Sequence, residues 1–145
     1  MIEQVMNLPG IYPDEHPILA LWVRGDHHLC GSYTWTVHNG PQEGYVLRHT
    51  SGFSPPFRTR ECELPAATYA GIIERLEAIS IPLIAEPKSW MYEAAVIGFM
   101  YASAFDQVVS VSWYYPPEEW KPLDQWHGET TQIFLEDKSV LKLVP

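Results

Sequence analysis

The hydrophobic period of the chain changes at Pro65, and this change constrains the fold more than any other feature. In "CGSYTWTVH" (30–38), Tyr33, Trp35 and Val37 alternate with Ser32, Thr34, Thr36 and His38, the period-2 pattern of a β-strand. "FRTRECEL" (57–64) alternates again. From Pro65 the spacing becomes helical. Tyr69, Ile72, Ile73, Leu76 and Ile79 fall on one stripe of "PAATYAGIIERLEAI" (65–79), with Glu74, Arg75 and Glu77 outside it. Pro65 suits the first helical position, where its missing N–H costs nothing. Gly71 weakens the helix by about 1 kcal/mol relative to Ala, which suggests a face that approaches a sheet closely.

Around these two patterns the remaining elements fall into place. "ILALWVRG" (18–25) is a short apolar run consistent with a buried strand, and "YVLRHT" (45–50) returns from the turn cluster "HNGPQEG" (38–44). Pro82 and Pro87 stop the helical pattern. "EAAVIGFMYASAF" and "VVSVSWYY" flank Asp106-Gln107 as an antiparallel hairpin. Its second arm carries Val109, Val111, Trp113 and Tyr115 on one face. "PLDQWHGETTQIFLEDK" (122–138) reads as a helix opened by Pro122, with Leu123, Trp126, Thr130, Ile133 and Leu135 or Phe134 inside. A strand from Thr130 to Leu135 is the alternative. Strands followed by few helices imply an α+β domain, a mainly antiparallel sheet with one or two helices on one face. Residues 1–17, with Pro9-Gly10, Pro13 and Pro17, read as an irregular arm, and 18–145 as a single domain.

Charge narrows the partners. Eighteen acidic against nine basic residues give a formal net charge of −9. Arg24 to Arg75 is balanced. From Ser89 to Asp137 the only base is Lys121, against Glu93, Asp106, Glu118, Glu119, Asp124, Glu129, Glu136 and Asp137. Such a field repels nucleic acid and anionic membranes and attracts a basic partner. The start of the chain lacks the basic residues and the apolar stretch of about 7–15 residues that mark export. No apolar run approaches the ~20 residues of a membrane span. These features lead us to expect a cytoplasmic protein with reduced Cys30 and Cys62.

Catalytic patterns are sparse. "DHHLC" gathers Asp26, His27, His28 and Cys30, with His38, His49 and Cys62 on neighbouring strands, but without the paired spacing of a zinc site. No nucleophile elbow, phosphate loop or dinucleotide fingerprint is present. Glu118 and Glu119 are adjacent, and Asp124 and Glu129 lie five apart, so neither pair suits general acid–base work across a cleft. No catalytic residue, metal or cofactor is therefore expected. A small metal- or thiol-dependent enzyme built on Asp26–Cys30 is kept as the alternative, along with a secretion adaptor or chaperone subunit.

The most distinctive stretch is "SWYYPPEEWKPLDQWHGE" (112–129), which holds Trp113, Trp120 and Trp126 among prolines and carboxylates. Trp113 and Tyr115 point into the core by alternation, and Tyr114 points away. "PPEEW" forms a proline-stiffened turn that holds Glu118, Glu119 and Trp120 outward or half outward. A Trp120 folded back over the core edge is the competing reading. Tryptophan and tyrosine dominate the energetic centres of interfaces, and nearby charges steer the partner. Tyr114, Glu118, Glu119, Trp120, Asp124 and Trp126 are thus the candidate partner-binding residues.

From Pro65 to about Leu135 the chain resembles immunity partners of polymorphic or type VI secretion toxins. The likeness rests on "LPAATYAGIIERLEAISIP" and "VSVSWYYPPEEWKPL", with Trp113, Pro117, Trp120 and Leu123 as shared marks. "SWMYE" (89–93) stands where such proteins would carry an Asp-Gly turn and a following Tyr. The resemblance implies a single domain without catalysis that binds a cognate, cytosol-acting toxin, expected to be basic, and occludes its active site. It transfers no functional residue.

Overall fold

A computed structural model describes residues 15–25, 32–41, 43–52, 57–82, 96–103, 107–114, 116–136 and the backbone of 142–143. The strands are β1 (Leu19–Arg24), β2 (Ser32–Asn39), β3 (Tyr45–Gly52), β4 (Arg58–Leu64), β5 (Val96–Ala102), β6 (Val108–Trp113) and the short β7 (Lys142–Leu143). They form one antiparallel sheet in the order β6-β5-β1-β2-β3-β4-β7. The helices are α1 (Ala66–Glu77) and α2 (Lys121–Glu136), the latter entered through a 3-10 turn at Glu118–Trp120. The fold is α+β. Among the described residues no helix is long and apolar enough to cross a membrane.

The alternating residues define the face on which the helices pack. Leu19 and Leu21, Trp35 and Val37, Leu47, Leu64, Phe99 and Trp113 share one side of the sheet and are buried with Tyr69, Ile72, Ile73, Leu123, Trp126 and Phe134. Four ring contacts join helix to sheet: Tyr45 with Tyr69 at 4.3 Å, Phe99 with Trp126 at 5.3 Å, Trp35 with Phe134 at 5.3 Å and Trp113 with His127 at 5.9 Å. α1 buries the stripe read from its sequence. Pro65 is its N-cap, one position before the helix proper, and its carbonyl accepts from the Tyr69 N–H. A β-carbon on Gly71 would meet nothing within 4 Å, so the expected close approach to the sheet does not occur there. α2 is helical through residues 130–135, which rules out the strand alternative. Phe134 is its inward residue and Leu135 is exposed.

Burial extends to the second face. Ala20, Trp22, Thr34, Thr36, Thr50 and Met100 are all buried, which explains why the β1 sequence is apolar at both parities. Here the Trp22 indole lies flat across Gly98 of β5. A β-carbon at position 98 would stand 2.4 Å from Trp22 Cε2 and Cζ2, so the residue must be glycine for the ring to pack. On the same side the Arg48 guanidinium donates to both carboxylate oxygens of Glu15, and its Nε donates to Glu61 at 2.8 Å. The two acids, led by the Glu15 hydrogen bond, push the Arg48 pKa up despite burial, so its charge is permanent. This network ties residue 15 to β3 and β4.

Candidate protein interface

The hairpin β5–β6 carries the distinctive stretch to the rim of the molecule. Ser103 N–H donates to the Gln107 carbonyl, which sets the ladder. In that register Val109, Val111 and Trp113 turn their backbone groups toward β5, and Val108, Ser110 and Ser112 turn theirs outward. β6 is the outermost strand on its side among the described strands. From Gln107 to Tyr114 it carries no charge, no proline and no glycine, the usual means by which a sheet blunts its edge. The large hydrophobic residues exposed among the described ones are Val108 (46%), Val109 (51%), Tyr114 (60%) and Leu135 (42%), so three of them lie on this strand or directly after it.

Beyond Tyr114 the chain turns through Pro116 and Pro117 into α2, and three aromatic rings fix that corner. Trp113 is buried, and its Nε1 donates to Asp124 Oδ1 at 2.9 Å. Its ring meets Trp120 edge-on at 6.5 Å and His127 edge-on at 5.9 Å. Trp120 is half-buried, and its Nε1 donates to the Pro82 carbonyl at 2.8 Å, so the ring fastens the start of α2 to the chain leaving α1. Tryptophan uses both of its characters here, the ring as packing and the N–H as a tether.

The structure therefore divides the candidate residues. Tyr114, Glu118 and Glu119 are exposed. Glu118 pairs with Lys121 at 2.8 Å in the first turn, where its charge also suits the N-terminal end of the helix dipole. Asp124 is half-buried and occupied by Trp113, so it acts as an orienting acceptor. Trp126 must be corrected: it is 2% exposed, and its Nε1 donates to the Ile72 carbonyl at 3.0 Å, binding α2 to α1. It sits on the inner stripe of α2 and offers no surface to a partner. Trp120 is closer to the folded-back reading, since its polar edge is used internally.

One site residue escaped sequence reasoning. His127 is 3% exposed and lies between Trp113 and the Gly98 carbonyl, to which its Nε2–H donates at 3.0 Å. A carbonyl only accepts, so this contact fixes the neutral tautomer. Burial holds the imidazole below its ordinary pKa, with the bond to Gly98 pulling the other way. The signal was available, because His127 follows Leu123 by one helical turn and precedes Phe134 by two.

Of the remaining chemical candidates, His38 and His49 stand on opposite faces of the sheet. The Asp26–Cys30 cluster, Tyr115 and "SWMYE" lie outside the described residues. His49 packs on Trp35 with ring centroids 4.1 Å apart, and His38 bonds Thr36 on the opposite face. Among the described residues no group of three or more His, Cys, Asp or Glu side chains is placed to hold a metal ion. Comparison of the chain with protein-family models, with curated proteins and with solved structures returns no match.

Proposed function

We propose that the chain is a protein-binding module that recognises a basic protein through the outer edge of β6 and the acidic corner following it. We further propose that it acts as an immunity protein, occluding the active site of a cognate toxin in the cytoplasm. The observation that carries the binding reading is the run Val108–Tyr114. Its outward N–H and C=O groups, which pair with no other described strand, lie beside exposed apolar side chains, and Glu118 and Glu119 stand at its end. An extended segment of a partner can add to such an edge by main-chain hydrogen bonds, with side-chain contacts on both faces supplying specificity. The net charge of −9 selects a basic partner and repels nucleic acid. The toxin-blocking role rests on the resemblance of the Pro65–Leu135 segment to immunity partners.

The experiment is co-expression with the product of the gene beside it. Growth arrest by that product alone, relieved by this chain and not by a chain with Val109→Lys, supports the proposal. A neighbour that is harmless, or one whose toxicity this chain leaves unchanged, overturns the toxin-blocking role.

A further inference from the structure

At the opposite end of the sheet, the face that carries the helices holds a pocket of about 130 Å³ lined by His49, Ser51, Arg58 and Arg60. The register explains why these four converge. His49 stands opposite Arg60 and Ser51 opposite Arg58, so β3 and β4 present them as a two-by-two patch on one side. Cross-strand partners have β-carbons about 5 Å apart, and residues two apart along a strand are separated by about 6.5 Å. Two guanidinium groups therefore share one small concavity with an imidazole and a hydroxyl.

Two like charges on one face favour a bound anion between them. Like charges at neighbouring positions on one face repel, and the chain has twice as many acids as bases with which to neutralise them. Yet neither Arg58 nor Arg60 has an acidic partner among the described residues. The glutamates of the same strand, Glu61 and Glu63, alternate to the other face, where Glu61 serves Arg48. The contrast is internal to the molecule: Arg48 on the same pair of strands is held by two carboxylates, and its neighbours across the sheet by none among the described residues. Tyr33, opposite Ser51 on β2, stays a neutral phenol because burial raises its pKa, and it adds no negative charge to the patch.

We propose that this pocket binds a phosphoryl dianion, either inorganic phosphate or the terminal group of a small phosphomonoester. Two planar guanidinium forks match phosphate oxygens, and the Ser51 hydroxyl and the His49 ring supply further donors. The volume is sufficient for one phosphoryl group. The site is independent of the β6 edge and of the identity of any protein partner.

The test is titration of the full chain with inorganic phosphate at ionic strength held constant with sodium chloride, read by calorimetry and by amide chemical shifts. A small phosphomonoester, run in parallel, tells which source binds more tightly. Saturable binding with shifts centred on His49, Ser51, Arg58 and Arg60 is expected. Arg58→Gln and Arg60→Gln each weaken it at least about tenfold, and Arg24→Gln, at an exposed site on β1, leaves it unchanged. Shifts spread over other surfaces, heats equal to those of added chloride, or undiminished binding in both glutamine variants would overturn the site. The shift map of the unaltered chain decides the matter even if a variant fails to fold.

Discussion

Trp120→Ala and Tyr114→Ala separate the architecture of the corner from its surface. Truncating Trp120 removes the hydrogen bond to the Pro82 carbonyl, worth about 0.5–1.5 kcal/mol net. It also removes the edge-on contact with Trp113, worth a similar ~0.5–1.5 kcal/mol beyond area. Pro82 is exposed, so water can satisfy its carbonyl and no further penalty arises. The expected loss is about 1–3 kcal/mol, equivalent to a fall in melting temperature of roughly 3–10 °C for a domain of this size. Tyr114 is 60% exposed, and its removal should stay within about 0.5 kcal/mol. Thermal melts and urea titrations of the two variants measure both values. A Trp120→Ala protein that melts with the wild type, or a Tyr114→Ala protein that falls as far as Trp120→Ala, would refute the division drawn between them.

Two further outcomes follow from buried groups. The native pKa of His127 is depressed, so the unfolded chain takes up its proton first. Its stabilising contribution is full above the unfolded value of about 6.5 and is lost as pH falls below it. Urea midpoints measured from about pH 7.5 down to about pH 5.5 should therefore decline, and His127→Gln, which can still donate to Gly98, should flatten the decline; equal slopes would contradict this. His38, lowered by burial and by Arg48, contributes in the same direction. Gly98→Ala should destabilise by about 1–3 kcal/mol through the clash with Trp22. Adding Trp22→Leu should recover part of that loss, and a Gly98→Ala protein as stable as the wild type would remove the packing argument.

The sequence made the first face of the sheet legible because alternation reports directly which residues share a side. Trp35 and Val37 are buried as their parity demands, and α1 buries the stripe that its spacing described. Alternation does not say whether the other parity is wet. Thr34 and Thr36 are buried, and only the doubly apolar β1 run hinted at a second covered face. Side-chain partners at long sequence separation stayed hidden for the same reason. The Trp120 tether needs a carbonyl 38 positions away, and the Trp126 tether one 54 positions away. An aromatic residue beside carboxylates suggested an interface, but packing used two of the three tryptophans of that stretch inside the domain and half-buried the third. The exposed apolar strand beside them, Val108 and Val109, was overlooked because valine alternation reads equally as an inner or an outer strand.

The central claim is that β6 and its acidic corner form the partner surface, and the most direct measurement is the affinity of the neighbouring gene's product for defined variants. Val109→Lys charges the outermost described strand, and Tyr114→Ala removes the exposed ring, both at positions where folding should be unaffected. Each should raise Kd at least about tenfold with an unchanged melting temperature, the scale of an interface position worth ~1.4 kcal/mol. Neutralising Glu118 and Glu119 together should mainly slow association, and most of that slowing should vanish in salt well above ~0.1 M, where the screening length falls below ~10 Å. Unchanged affinity in both Val109→Lys and Tyr114→Ala, for a partner that binds the wild type tightly, would place the interface elsewhere on the molecule.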